Sequence, residues 1–315
     1  MYKLKDLIGD GSTTFISLLT TKWDEIHEAM DVFRYKIDKL EERIVDGSYL
    51  LQLNPDRQSK RRTPEEMNNI FQPFDEKKFN FNKVSPKEIL FSIEDEGGNK
   101  HTVLINVSPV SRYHSLLCPY VDKCLPQVVT PESLDLAVQI MFLIEDRTVR
   151  IGFNSICAFA SVNHLHYHFF VEKNILAVEK VKWQNFKEDV YLLDKSFPVP
   201  AFCFQVQRHS STKTLWKVLE YFLKKSIAHN ILMTKIRRIG GPEDVVNVIV
   251  WPRRNTNGAK KLAAFNVAVL ELSGWFPIYD AESFKNLDAK GLEAELLKWV
   301  RDDFENICEE LKCIL

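Results

Sequence analysis

Ser161-Val162-Asn163-His164-Leu165-His166-Tyr167-His168-Phe169-Phe170-Val171-Glu172 is the stretch on which the reading of this chain turns. Read as a strand, it alternates its side chains between two faces, so His164, His166 and His168 project from one face at intervals of about 6.5 Å. Leu165, Tyr167 and Phe169 then point the other way, into a core. Three imidazoles in a row serve packing poorly, because each needs polar partners once buried. Two chemistries suit them. One is a metal site, with Glu172 on the same face by parity as a further ligand, although the chain offers no recognisable second ligand pair. The other is attack on phosphorus by a neutral imidazole whose second nitrogen donates to a fixed acceptor. Ser161 and Asn154 stand close enough in sequence to supply donors over a phosphate.

Working outward, residues 151–161 and 164–173 read as strands, and a helix precedes them. Thr130 suits its N-cap and Pro131 its first turn, with Leu134, Val138, Met141 and Phe142 as the buried stripe. Short strands are expected at 78–84, 88–94 and 101–107, the last two joined by a turn at Gly97-Gly98-Asn99. Beyond the histidines come strands at 175–181, 190–193, 201–207, 230–236, 245–251 and 265–272, with a helix over 212–227. Trp23, Ile26, Met30, Phe33, Ile37 and Leu40 predict an N-terminal helix. Leu296, Val300, Phe304, Ile307, Leu311 and Ile314 predict a C-terminal one. The basic cluster Arg57, Lys60, Arg61, Arg62 is either a solvated connection or a phosphate contact.

Two stretches read as weak copies of one design. Residues 103–107, 116–119 and 152–158 parallel residues 231–235, 248–252 and 264–270, and both third segments open on Phe-Asn (Phe153-Asn154, Phe265-Asn266). Only the first copy runs on into the histidines.

Composition narrows the field. With 42 Lys+Arg against 43 Asp+Glu the net charge is −1, which excludes polyanion binding by a bulk field and so argues against nucleic acid as partner. No run reaches the roughly 18 apolar residues of a membrane span, and the start Met1-Tyr2-Lys3-Leu4-Lys5-Asp6 lacks a signal-peptide core. Six scattered cysteines without a C-x-x-C suggest reduced thiols in a cytoplasmic protein, with neither a disulfide scaffold nor thiolate zinc. No G-x-x-x-x-G-K-S loop occurs, which excludes a P-loop kinase.

His164-Leu165-His166-Tyr167-His168-Phe169-Phe170 resembles the histidine-triad signature, and Pro109…His114-Ser115-Leu116-Leu117-Cys118-Pro119 resembles the segment upstream of it in that superfamily. Gly152-Phe153-Asn154-Ser155 and Ala160-Ser161-Val162-Asn163 are similar to the approach in the galactose-1-phosphate uridylyltransferase-like branch. Gln72-Pro73-Phe74-Asp75-Glu76-Lys77-Lys78-Phe79-Asn80-Phe81 is similar to the GDP-hexose phosphorylases. The resemblance spans roughly residues 50–275 and implies an α+β fold: a duplicated histidine-triad-like half-barrel with flanking terminal helices. The expected division is a helical extension at 1–50, the triad-bearing half at 51–195, and a degenerate second half with the C-terminal helix at 196–315.

The resemblance further implies a ping-pong nucleotidyl transfer; the paired-cysteine zinc site of the uridylyltransferases has no counterpart in this chain, so no metal and no cofactor are expected. His166 would attack the α-phosphorus of a GDP-hexose, releasing hexose 1-phosphate, and inorganic phosphate would then release GDP. His164 and His168 would orient the nucleophile and the phosphate, Asn154 and Ser161 would contact the nucleotide phosphates, and His114 would assist. Relatives often carry Gln where this chain has His168. That departure tilts the donor toward GDP-glucose over GDP-L-galactose, and leaves water as an alternative acceptor. The competing class is a nucleotide-binding sensor with a decayed triad, against which the intact histidine spacing argues. Two halves in one chain allow a monomer as well as a homodimer.

Overall fold

A computed structural model describes residues 1–7, 14–29, 31–37, 40–61, 67–208, 210–235, 245–256 and 264–315. Met30, Arg62 and Ile236 of the sequence reading lie outside the described residues. The chain starts with β1 (Tyr2–Lys3) and α1 (Phe15–Ala29), then the hairpin β2 (Glu41–Val45) and β3 (Tyr49–Leu53), and the short α2 (Pro55–Lys60). The first half of the large sheet follows: β4 (Ile89–Glu94), β5 (Lys100–Ile105), β6 (Ser115–Cys118), α3 (Pro131–Leu143), β7 (Val149–Asn154) and β8 (Tyr167–Val171). After α4 (Ala177–Lys180) the second half comprises β9 (Trp183–Lys187), β10 (Val190–Leu193), β11 (Phe202–Gln207), α5 (Lys213–Lys224), β12 (His229–Thr234) and β13 (Val245–Pro252). The chain closes with α6 (Val269–Ser273), β14 (Trp275–Ile278), α7 (Ala281–Asn286), α8 (Ala289–Leu297) and α9 (Phe304–Ile314).

Eleven strands make one sheet in the order β1-β4-β5-β6-β8-β7-β12-β13-β11-β10-β9. Read from each edge to the middle, β4-β5-β6-β8-β7 matches β9-β10-β11-β13-β12, and a helix crosses over after the third strand of each set (α3, α5). The halves meet at the antiparallel pair β7·β12, where Asn154 faces Asn230. The fold is therefore α+β and built twice on one plan, but the internal correspondence differs from the one read in the sequence. The strand containing Ile231 matches β7, not residues 103–107. The second Phe-Asn is no strand at all: Phe265–Ala268 is irregular and leads into α6, whose first turn is closed by Ala268 N–H donating to the Glu271 carboxylate at 2.8 Å. All five residues of α6 are buried, so its apolar run carries no amphipathic period to separate helix from strand.

The sheet splits the core. On one face α1, α3, α5 and α9 bury Phe15, Trp23, Leu134, Met141, Phe222 and Leu311. On the other lie α6, α8 and the small sheet β14-β3-β2, burying Leu51, Leu272, Trp275 and Leu296. Strand β8 alternates between them, Tyr167 and Phe169 on the first face and Phe170 on the second.

Thr130 caps α3 as expected, accepting from Ser133 N at 3.2 Å, with Pro131 in the first turn. Other expectations are corrected. The N-terminal helix ends at Ala29, and Phe33, Tyr35 and Ile37 are buried from the irregular, bent chain after it. Residues 78–84 hold a 3-10 turn (Phe81–Lys83) under an Asn80 cap, and 175–181 holds α4, whose Leu176 N–H donates to Glu179 at 2.8 Å. The C-terminal helix is two, α8 starting where Asp288 accepts from Gly291 N at 2.8 Å. Strands β1, β2, β3, β9 and β14 are not expected from the sequence. Among the described residues no helix is long and apolar enough to cross a membrane.

Candidate active site

The three histidines do not share one strand. Only His168 lies on β8; His164 and His166 sit in the irregular chain that leads into it. That arrangement gives each ring its own environment.

His164 is fully buried, with both nitrogens taken by backbone. Its Nδ1 accepts from Phe81 N at 3.0 Å and its Nε2 donates to the Val121 carbonyl at 3.1 Å. Phe81 stacks on the ring at 5.5 Å between centroids. Burial lowers its pKa to about 4, so it is neutral and fixed in one tautomer.

His166 is the nucleophile candidate. Its Nδ1–H donates to the His164 carbonyl at 2.8 Å, which leaves the Nε2 lone pair unprotonated. Burial lowers its pKa to about 4 as well, and the ring lines a cavity together with His168, His114, Asn154 and Ser161. Gln127 holds the backbone beneath it. The Gln127 Oε1 accepts from His166 N at 2.8 Å, while Nε2 donates to the carbonyls of Asn154 (2.9 Å) and His166 (3.0 Å). Asn163 steadies Gln127 in turn, accepting from its N–H at 3.0 Å and donating to the carbonyls of Gln72 and Pro73 at 3.0 and 2.8 Å.

His168 meets His114. Val110 N–H donates to His114 Nδ1 at 3.1 Å, so the neutral His114 carries its proton on Nε2. That proton points at His168 Nδ1, 3.1 Å away, which leaves His168 with a proton on Nε2. Burial first, then neighbouring histidines and Arg57, push both pKa values well below the usual range. The rings of His166 and His168 lie 5.1 Å apart, an unprotonated nitrogen beside a donor.

Asn154 ends β7 with its carbonyl on Gln127 and its Oδ1 accepting from Asn230 Nδ2 (2.6 Å) and Val269 N (3.1 Å). Its amide NH₂ has no partner among the described residues and stands at the cavity wall. The Ser161 hydroxyl lines the same cavity. Five of the six residues named from sequence thus converge on one cavity, and His164 supports it from behind. Glu172 does not join them: its carboxylate accepts from Asn174 N and Nδ2, each at 2.8 Å. Among the described residues no group of three His, Cys, Asp or Glu side chains could hold a metal ion.

Sequence reasoning missed Gln127, Asn230, Asn266, Glu271 and Tyr279. A Gln between two apolar segments (Leu125-Pro126 and Val128-Val129) is a weak signal for the first, and the repeated Phe-Asn that pairs Asn266 with Asn154 is one for the third; Asn230, Glu271 and Tyr279 carry none. Burial raises the pKa of Glu271 to about 7.

A duplicated α+β sheet with histidines set against amide and hydroxyl donors is the arrangement that the resemblance to the histidine-triad class of nucleotidyl transfer enzymes implies. Solved structures agree on the fold: yeast Ap4A phosphorylase Apa2 in complex with AMP superposes with a TM-score of 0.61 at 16% identity, covering 90% of this chain and 96% of that one. The GDPGP1-like N-terminal and C-terminal domain families match residues 14–170 and 176–312. The chain belongs to the GDPGP1-like family. It is 35% identical to GDP-D-glucose phosphorylase 1 of Danio rerio, over 96% of this chain and 92% of that protein. It is 31% identical to the Homo sapiens protein of that name, over 91% and 83%. With GDP-L-galactose phosphorylase 2 of Arabidopsis thaliana it shares 33% identity over 57% of this chain and 48% of that protein.

Proposed function

We propose that this chain catalyses the phosphorolysis of GDP-glucose to glucose 1-phosphate and GDP through a guanylyl group carried on His166 Nε2. One observation carries the reading: Nδ1 of His166 is committed to the His164 carbonyl, so the lone pair of Nε2 faces the cavity. In the first step Nε2 bonds to the α-phosphorus and the bond to the bridging oxygen breaks, releasing glucose 1-phosphate. That group leaves as a stable phosphate anion and needs no proton. The Nδ1–H stays on the His164 carbonyl, which steadies the positive ring. In the second step an oxygen of inorganic phosphate bonds to the α-phosphorus, the P–N bond breaks, and GDP leaves. His168 Nε2–H, the Asn154 amide and the Ser161 hydroxyl are the donors for the non-bridging oxygens, supplied already oriented.

Family membership and the Danio rerio relative support GDP-glucose as donor; GDP-L-galactose, named for the plant relatives, is the nearest alternative. Histidine at 168 keeps hydrolysis in view. Six free cysteines, four of them buried, suit a cytoplasmic setting. Both halves come from one chain, so a monomer completes the site. The test is a panel of GDP-hexoses with and without phosphate. Glucose 1-phosphate and GDP formed only with phosphate, and fastest from GDP-glucose, is the expected result. GMP released in phosphate-free buffer at the same rate makes the enzyme a hydrolase.

A further inference from the structure

Arg57 and Arg61 line the same cavity as His166 and His168. They come from α2 and the residue after it, under an Asn54 cap whose Oδ1 accepts from Arg57 N at 3.3 Å. Arg57 donates from Nη1 to the Ser108 carbonyl, and Asn54 and Tyr35 donate to the next carbonyl, of Pro109, at 3.4 and 2.5 Å. This ties the arginine to the segment that leads to His114. Arg61 donates from Nη1 to Tyr279 Oη at 3.1 Å, its guanidinium 5.2 Å from that ring. Neither arginine forms an ion pair among the described residues. Glu271 on the same wall attracts Arg57 without pairing with it, so both guanidinium groups remain open to an anion in the cavity, and guanidinium forks match phosphate oxygens.

The chemistry says which phosphate. In-line displacement puts the leaving oxygen opposite Nε2, and the second nucleophile must approach along the same line. Glucose 1-phosphate departs from, and inorganic phosphate enters, one and the same place. We propose that Arg57 and Arg61 form a single anion seat that holds the β-phosphate of the donor and afterwards the acceptor phosphate. It thereby directs the guanylyl group to phosphate in preference to water. The inference rests on the phosphorylase reading and names the residues that make the enzyme a phosphorylase.

The test uses the full chain with Arg61→Met, which removes the charge at similar length, and Arg57→Lys, which keeps charge but loses the fork. With GDP-glucose as donor and phosphate varied, each variant is expected to raise half-saturating phosphate about tenfold or more. Each is also expected to raise the ratio of GMP to GDP formed. Half-saturation and product ratio as in wild type for both variants overturn the seat. If wild type forms no guanylyl adduct, the functional reading fails. Calorimetric titration of inorganic phosphate then still judges the seat: binding by wild type and its loss in Arg61→Met support it, and equal binding or none overturns it.

Discussion

The two halves of the sheet share strand order and crossover helix but divide the work. In the first half, the face of β8 toward the small sheet presents His168 and Phe170, continuing from His166. In the second half, the matching face of β13 carries Ile249 and Trp251, both fully buried in the apolar cluster. Among the described residues the second half brings no histidine to the cavity. It supplies a wall: Asn230 on β12 fixes the Asn154 amide, Val269 N–H completes it, and Asn266, Glu271 and Tyr279 border the cavity. On the proposed mechanism the chemistry sits on one half and its positioning on the other.

Replacing His166 with Ala removes the nucleophile, and phosphorolysis should fall by at least about 10⁴-fold in steady-state assays; a fall under tenfold moves the chemistry elsewhere. Gln127→Ala strips three hydrogen bonds from the backbone around His166 and Asn154. It should cost about 3 kcal/mol in denaturant unfolding and about a hundredfold in kcat. On the other copy, Asn230→Ala frees the Asn154 amide, and kcat/KM should drop about tenfold. Unchanged turnover there would mean that the second half contributes nothing to catalysis. Trp251→Phe, on the matching apolar face of the second half, should lower stability by about 1–3 kcal/mol through the cavity it leaves and change turnover not at all.

Acid sharpens the comparison further, because buried histidines occur in both halves. His164, His166 and His229 each have a folded-state pKa of about 4 against the ordinary 6.5, chiefly through burial. The unfolded chain therefore takes up protons first on acidification. Their contribution to stability is complete above about pH 6.5 and is lost as the pH falls toward 4. The unfolding midpoint should drop across that window, and His229→Phe should flatten part of the drop without touching turnover at neutral pH. The rate of the first half-reaction, guanylyl transfer to His166, should stay level from neutral pH until His166 protonates near pH 4.

The triad was legible because its spacing is chemical: three histidines on alternate residues have few uses, and Thr130-Pro131 marks a helix start by local physics. What was illegible depends on distant partners. Alternation put all three rings on one strand, yet Phe81 and Val121 pull His164 off the sheet by bonding both its nitrogens. The wall residues gave no signal because Asn230 and Glu271 matter only through the β7·β12 seam and the turn into α6. The doubled plan was visible as a pattern, but apolar strands are too alike for their internal match to be assigned without pairing.

The central claim is that His166 Nε2 carries the guanylyl group. The direct measurement is intact-mass and peptide-level mass spectrometry after mixing the protein with GDP-glucose in phosphate-free buffer. One guanylyl adduct is expected, on the peptide containing His166, absent in His166→Ala and discharged as GDP when phosphate is added. GDP and glucose 1-phosphate formed at full rate by His166→Ala, or an adduct on another residue, would contradict it.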